Sequence, residues 1–205
     1  MNTVLYSFAP QDRSGKIRWL LKELDTDFEI KTLDGEQEEN KKSIYSSISP
    51  MGLVPAIHHE GETLFESGAI AIYLSEKNNS KKSLAPLVGS PYRAEFLKWV
   101  IFATATLDPL LIKVFKTKGM TDEEREKHLE QIYSEFQNTA VHLESILKKS
   151  PFVVGGQFSA ADIMLAQPLN WAFKAGLLKS HPALMSYLQT LKQRPACIAS
   201  GIFNS

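Results

Sequence analysis

The chain contains 205 residues, of which 43% are hydrophobic, and its 23 basic and 23 acidic side chains give a formal net charge of zero. This composition is typical of globular domains and excludes a largely disordered chain. A neutral chain has no surplus positive charge to attract nucleic acid phosphates or an anionic membrane surface, so we expect no nucleic acid and no membrane as partners.

The amino-terminal residues lack the basic and then apolar order of a secretion signal, and no stretch of the sequence is apolar for long enough to cross a bilayer. We therefore expect a cytoplasmic protein. The single cysteine, Cys197, excludes an internal disulfide and a cysteine-rich metal site. No metal is expected.

Residues 1–78 carry the pattern of a mixed sheet with helices packed on it. A β-rich run at residues 3–8 predicts a strand that Pro10 ends. Apolar side chains at helical spacing over residues 17–24 predict a helix with Ser14 near its amino end. The alternating residues 28–32 predict a second strand, which is parallel to the first because a helix connects the two.

The next segments predict a short helix, a hairpin and a further helix. A polar run that begins near residue 36 predicts a poorly packed helix that reaches Ile48. Residues 54–58 and 63–65 predict a hairpin, and a helix begins at residues 66–68. The order β-α-β-α-β-β-α therefore predicts an α/β domain.

Residues 79–86 form a polar linker in this interpretation, and residues 87–205 form an all-helical domain. Apolar side chains at helical spacing between Phe96 and Val114 predict one long helix, in which Pro109 should cause a kink. Two capping boxes mark the starts of further helices. They are Thr121-Asp122-Glu123-Glu124 and Ser159-Ala160-Ala161-Asp162.

Four sequence segments, in this order, resemble the cytosolic glutathione S-transferase family. They are RSGKIRWLL at residues 13–21, PMGLVPAI at 50–57, ESGAIAIYL at 66–74 and FSAADI at 158–163. The resemblance covers nearly the whole chain and implies a thioredoxin-like first domain followed by the helical domain. It also implies glutathione as cosubstrate, an apolar electrophile as second substrate, and a homodimer.

This family resemblance favours an enzyme that transfers glutathione, of the bacterial type with a serine in the active site. Two other functions remain open on the sequence. One is a non-catalytic scaffold, binding or regulatory protein of the same architecture. The other is a glutathione-dependent isomerase or peroxidase that uses the same thiolate.

The resemblance also implies which residues bind glutathione. Leu53, Val54 and Pro55 match a segment with a cis-proline, where the residue before the proline pairs with the peptide part of glutathione. At the start of the next helix, free N–H groups and the helix dipole can hold a carboxylate near Ser67, and Glu66 can accept from an ammonium group. Asn40 falls where family members often contact the glycyl carboxylate.

The catalytic group should be a donor aimed at the glutathione sulfur, because a thiol with a pKa of about 8.5 is mostly un-ionised at neutral pH. Ser14 is the first candidate and resembles the serine type of the family, although it also fits a plain helix cap. Arg13 and Tyr6 are the alternatives, Arg13 as a cation and Tyr6 as a hydroxyl or a core aromatic. Phe102, Leu107 and Phe115 are candidates for the cosubstrate pocket, although each also fits a helical core.

Overall fold

The computed structural model describes residues 3–77 and 82–204. The chain divides into two compact units: Met1–Gly89 together with Lys192–Ser205, and Ser90–Leu191. The expected linker lies at the end of the first continuous part, and its residues 79–81 are outside the described residues. The sequence-based boundaries grouped residues 192–205 with the helical domain, whereas these residues pack with the first unit.

The first unit is built on a four-stranded mixed sheet. Its strands are β1 Thr3–Ser7, β2 Phe28–Thr32, β3 Ala56–His59 and β4 Glu62–Phe65, in the order β2-β1-β3-β4. β1 pairs in parallel with β2, where Leu5 faces Ile30, and antiparallel with β3, where Leu5 faces Ile57. The mixed sheet expected from the sequence is confirmed, and β1 and β3 are its two inner strands.

Two helical segments connect these strands, α1 Ser14–Glu23 and α2 Ser43–Ser46 with a 3-10 turn at Glu39–Lys41 before it, and α3 Ser67–Lys77 follows β4. Along α1 every side chain except that of Lys22 is buried. A Cβ atom on Gly15 would lie 2.6 Å from the Pro10 carbonyl oxygen and 2.8 Å from Ile202. The close approach at this position requires glycine.

The second unit is helical, as expected, but the predicted long helix is interrupted earlier than Pro109. It consists of α4 Arg93–Ile101, a π-helical turn Phe102–Leu107, α5 Asp108–Leu111 and a 3-10 turn Ile112–Phe115. The Asp108 N–H donates to the Ala103 carbonyl, one residue further back than in an α-helix. The Thr104 hydroxyl donates to the Val100 carbonyl over 3.0 Å, and such a bond often bends a helix.

The remaining helices of the second unit are α6 Asp122–Leu147, α7 Ala160–Lys174 and α8 Pro182–Lys192. Both capping boxes predicted from the sequence are present, at Thr121 with Glu124 and at Ser159 with Asp162. Within residues 3–77 and 82–204, no helix has the length and apolarity that crossing a membrane requires.

A last helix, α9 Pro195–Ser200, packs against α1. The Arg194 guanidinium donates to both carboxylate oxygens of Glu23, over 2.6 and 2.9 Å, and the Trp19 indole N–H donates to the same carboxylate over 2.9 Å. The Phe203 ring meets the Trp19 ring edge-on at 6.2 Å. These contacts explain why the C-terminal segment belongs to the first unit.

Candidate active site

Hydrogen bonds to the carboxylate of Asp12 hold the loop between β1 and α1 together. Its Oδ2 atom accepts from the N–H groups of Phe8 and Ala9, over 2.7 and 3.0 Å. Its Oδ1 atom accepts from the N–H of Ser14 over 2.7 Å. A carboxylate in this place satisfies free N–H groups and complements the positive end of the helix dipole. Sequence reasoning missed Asp12 because the cap of α1 was expected at Ser14.

The hydroxyl of Ser14 is enclosed in this network. Its oxygen lies 2.6 Å from the Ser7 hydroxyl and also in hydrogen-bond contact with Asp12, and the side chain is fully buried. The Arg18 guanidinium donates to Ser7 over 3.3 Å. Burial lowers the pKa of Arg18, and the negative charge of Asp12 opposes that shift. A serine hydroxyl has one hydrogen to donate, and two acceptors inside the protein compete for that of Ser14.

Tyr6 lies on the opposite face of β1 from Ser7, because successive side chains of a strand alternate. It belongs to a buried cluster with Leu33, Tyr45 and Ala56, which we call the Tyr6 cluster, and Val54 packs against this cluster. The Tyr6 and Tyr45 rings are 5.4 Å apart. Tyr6 therefore lies on the Val54 side of the sheet, away from Ser14.

Arg13 is partly exposed and directly precedes α1. The hydrogen bond from the Gly15 N–H to the Asp12 carbonyl, over 3.0 Å, spans Arg13 and fixes its backbone at the end of the loop. The three candidate catalytic residues are thus separated: Ser14 is enclosed, Tyr6 is on the other face of β1, and Arg13 lies at the surface of the loop.

Val54 presents an unpaired peptide group. Its bond to Pro55 is cis, as the resemblance implied. No hydrogen bond joins the N–H or carbonyl of Val54 to any of the described residues. The neighbouring Leu53 differs, since its carbonyl accepts from the hydroxyls of Tyr45 and Ser49 over 2.7 and 2.9 Å. The backbone of Val54 is therefore available to pair with a peptide-like ligand, whereas that of Leu53 is engaged.

Glu66 and Ser67 lie where β4 passes into α3. Glu66 is exposed and has a φ of +69°, a left-handed conformation that is uncommon for a residue other than glycine. Such conformations concentrate at functional sites. Ser67 is the first residue of α3, whose first turn offers unpaired N–H groups. One carboxylate beside one anion-binding helix end suits a ligand with both an ammonium and a carboxylate group.

The side chain of Asn40 is turned toward the protein. Its Nδ2 atom donates to the carbonyl of Gly52 over 3.0 Å. The neighbouring cations Lys41 and Lys42 form ion pairs with Glu38 and Glu39. Asn40 thus contacts the segment that leads to Val54.

The three candidate pocket residues of the second unit occupy different environments. Phe102 lines a cavity of about 310 Å³ and meets the Trp99 ring edge-on at 5.6 Å. Leu107 is fully buried. Phe115 is half-exposed and packs edge-on against Trp171 at 6.0 Å.

Cys197 is buried, and burial raises the pKa of its thiol to about 12. The thiol is therefore protonated at neutral pH and a poor nucleophile. No three acidic, histidine or cysteine side chains group together as metal ligands in the part of the chain that the structure describes.

Comparisons with known proteins give the same fold for both units. Residues 1–76 match the family model "Glutathione S-transferase, N-terminal domain", and residues 126–190 match "Glutathione S-transferase, C-terminal domain". Among curated relatives, the Disulfide-bond oxidoreductase YfcG of Escherichia coli is 28% identical over 92% of this chain and 90% of its own length.

Two solved structures add bound ligands to this comparison. A sphingomonad glutathione S-transferase in complex with glutathione is 28% identical, with a TM-score of 0.79 over 98% of this chain and 96% of its own. A glutathione transferase family member from Pseudomonas fluorescens with two glutathione molecules bound is 25% identical, with a TM-score of 0.84 over 97% and 91%.

Proposed function

This chain belongs to the glutathione S-transferase family, and we propose that it activates the thiol of glutathione for attack on an apolar electrophile. The observation that carries the proposal is the unpaired peptide group of Val54, in the same unit as the amino end of α3. The glutathione held by the sphingomonad and Pseudomonas relatives supports the same ligand here.

We assign one part of the site to each part of glutathione. The N–H and carbonyl of Val54 pair with the peptide of its cysteinyl residue. The carboxylate of the γ-glutamyl group binds at Ser67 and the first turn of α3, where N–H groups and the helix dipole favour an anion. The carboxylate of Glu66 accepts from the γ-glutamyl ammonium.

Catalysis in this proposal consists of stabilising the thiolate, which is the nucleophilic form of a thiol. The sulfur forms a bond to an electrophilic carbon of the second substrate, and the electron pair leaves with the displaced group. The sequence-based candidates for the donor to sulfur are Ser14, Arg13 and Tyr6. Because the Ser14 hydrogen has two acceptors inside the protein, we favour Arg13 or Tyr6 for direct contact with the sulfur.

The test is the ultraviolet absorbance of the thiolate of bound glutathione across pH, in the wild type and in Ser14→Ala, Arg13→Ala and Tyr6→Phe. We expect a depressed thiol pKa in the wild type and a rise toward the value of free glutathione in one variant, which identifies the donor. A wild-type protein that binds no glutathione would contradict the proposal and favour a scaffold function.

The likeness to YfcG supports a second candidate, the glutathione-dependent reduction of disulfides. Cys197 is buried with a pKa of about 12, so thiol exchange would take place between glutathione sulfurs and the substrate disulfide. Two molecules of glutathione are oxidised to the glutathione disulfide while the substrate disulfide is reduced to two thiols. Comparing turnover of a small disulfide with conjugation of an aryl halide separates the two candidates.

We also propose that the protein is a homodimer, since two-fold dimers are the commonest oligomers and the family resemblance implies one. Sedimentation at micromolar concentration should show a species of twice the 23.0 kDa chain mass. A single species of the chain mass would contradict the dimer without affecting glutathione binding to the first unit.

A further inference from the structure

We propose that Asn40 and Tyr45 are positioning residues, which fix Gly52 and Leu53 and thereby present the peptide group of Val54 to glutathione. The inference rests on the proposed glutathione binding. It gives Asn40 a different part from the one that the sequence suggested, because its contact runs through the Gly52 backbone instead of the glycyl carboxylate.

Tyr45 holds Leu53 from inside the protein. It is 3% exposed, its hydroxyl donates to the Leu53 carbonyl over 2.7 Å, and its ring packs on Tyr6. Ser49 reinforces this contact, since its hydroxyl donates to the same carbonyl and accepts from the Leu53 N–H over 3.3 Å. Both polar groups of the Leu53 backbone are thus held by side chains of the α2 region.

Burial raises the pKa of Tyr45 to about 12, so its hydroxyl keeps its hydrogen throughout the pH range in which enzymes are assayed. The Tyr45 hydroxyl can therefore donate to the Leu53 carbonyl at every pH used in the tests below.

Asn40 fixes Gly52, the residue that precedes Leu53. Its Nδ2 atom donates to the Gly52 carbonyl over 3.0 Å, and the Gly52 N–H donates to the Ser49 carbonyl over 2.8 Å. Gly52 has a φ of +64°, and a Cβ atom there would lie 3.0 Å from the Asn40 carbonyl oxygen. The close approach of the two chain segments therefore depends on a glycine at this position.

The contrast between consecutive residues gives these contacts a functional meaning. Gly52 and Leu53 are engaged by Asn40, Tyr45 and Ser49, whereas the next peptide group, that of Val54, has no partner among the described residues. A binding group that is fixed before the ligand arrives costs less ordering entropy on association. Loss of either contact should therefore weaken the binding of every ligand that pairs with Val54, whatever other groups the ligand carries.

The experiment compares glutathione with γ-glutamylcysteine, which lacks the glycyl residue, in wild type, Tyr45→Phe and Asn40→Ala. Loss of one hydrogen bond predicts a rise in Kd of about fivefold in each variant, equal for the two ligands. The thiol pKa of bound glutathione should stay at its wild-type value, because neither side chain is proposed to contact the sulfur. A loss in Asn40→Ala that is confined to glutathione would instead show direct contact with the glycyl carboxylate and overturn the inference for Asn40.

Tyr187→Phe is the matched control. The Tyr187 hydroxyl is also buried and donates to a single acceptor, Asp162, over 2.7 Å, but it lies in the second unit. This variant should lose stability and keep the wild-type Kd. An equal rise in Kd in Tyr187→Phe, or an unchanged Kd in both Tyr45→Phe and Asn40→Ala, overturns the inference. Absence of binding to the wild type would overturn the proposed function itself.

Discussion

At the amino ends of both α1 and α7 an aspartate carboxylate accepts hydrogen bonds from backbone N–H groups, but the two carboxylates differ in burial. At α7, the Asp162 carboxylate accepts from the N–H groups of Ser159 and Val153, over 2.8 and 3.2 Å, and from the hydroxyls of Ser159 and Tyr187. At α1, Asp12 also accepts from backbone N–H groups and a serine hydroxyl. Asp162 is fully buried, whereas Asp12 remains partly exposed.

This difference in burial separates a structural cap from one that shapes a site. Burial raises the pKa of Asp162, and its four donors oppose that shift, so the group is costly to disturb. Asp12 instead folds an exposed loop whose next residue, Arg13, lies at the surface. We expect substitution of Asp162 to affect stability first, and substitution of Asp12 to affect the chemistry of glutathione first.

The largest effect is expected for Asp162→Ala. Four donors lose their acceptor inside the second unit, which should lower the free energy of unfolding by about 3 kcal/mol. Urea denaturation measures the loss. Asp162→Asn is the matched control, since it keeps one acceptor oxygen and should lose less. Equal losses in the two variants would contradict the hydrogen-bond explanation.

Asp12→Ala should reduce the free energy of unfolding by a smaller amount, about 1–2 kcal/mol, because solvent can reach part of the loop. The fall in kcat of the glutathione reaction should be larger than this loss of stability explains, because the loop backbone before Arg13 loses the carboxylate that accepts its hydrogen bonds. The measurement is kcat at saturating glutathione beside a urea titration, with Asp12→Asn as control. If kcat stays normal in Asp12→Ala, the loop does not serve the site.

Ser14→Ala and Ser159→Ala form a matched pair, because each removes a buried hydroxyl that donates to its aspartate. Each should lose about 1 kcal/mol in urea denaturation. Neither should change the thiol pKa of bound glutathione, since the Ser14 hydrogen is engaged inside the protein. A rise in that pKa in Ser14→Ala alone would restore Ser14 as the donor to sulfur.

The smallest loss of folding stability is expected at the amino end of α6, where the capping box is exposed. Thr121→Ala should cost about 0.5 kcal/mol. Hydrogen bonds from Thr121 lower the pKa of Glu124, so this carboxylate stabilises the folded state above its unfolded pKa. That contribution should disappear as the pH falls below about 4, through the lowered pKa. Comparing urea midpoints of wild type and Glu124→Gln at pH 7 and pH 3 tests this, because the Thr121 backbone N–H donates to this carboxylate, and a difference that persists at pH 3 would contradict it.

The fold could be predicted from the sequence wherever local patterns decide it. Strand alternation gave residues 28–32, and the two capping boxes gave the starts of α6 and α7. The interruption at Phe102 could not be predicted, because it depends on the Thr104 side chain taking a backbone carbonyl and on the shifted bond of Asp108. Helical periodicity alone does not distinguish an α-turn from a π-turn.

The candidate site was predicted in part, for a physical reason that its residues make clear. Short local motifs contain Val54, Glu66 and Ser67, so these candidate residues can be found from the sequence around each of them. The surroundings of Ser14 depend on Ser7 and Arg18, which are separated from it in sequence and brought to it by the packing of α1 on β1. Asp12 and Tyr45 were missed because their acceptor and donor roles appear only when the loops are folded.

Because the C-terminal segment packs with the first unit, some contacts of that unit can form only late in synthesis on the ribosome. Glu23 meets its partner Arg194, and Trp19 meets Phe203, only after the whole second unit has been translated. Until then Trp19 lacks its edge-on contact with the Phe203 ring. Closing so long a loop carries an entropic cost, which the packing of α9 offsets. The second unit is, in topological terms, an insertion within the first.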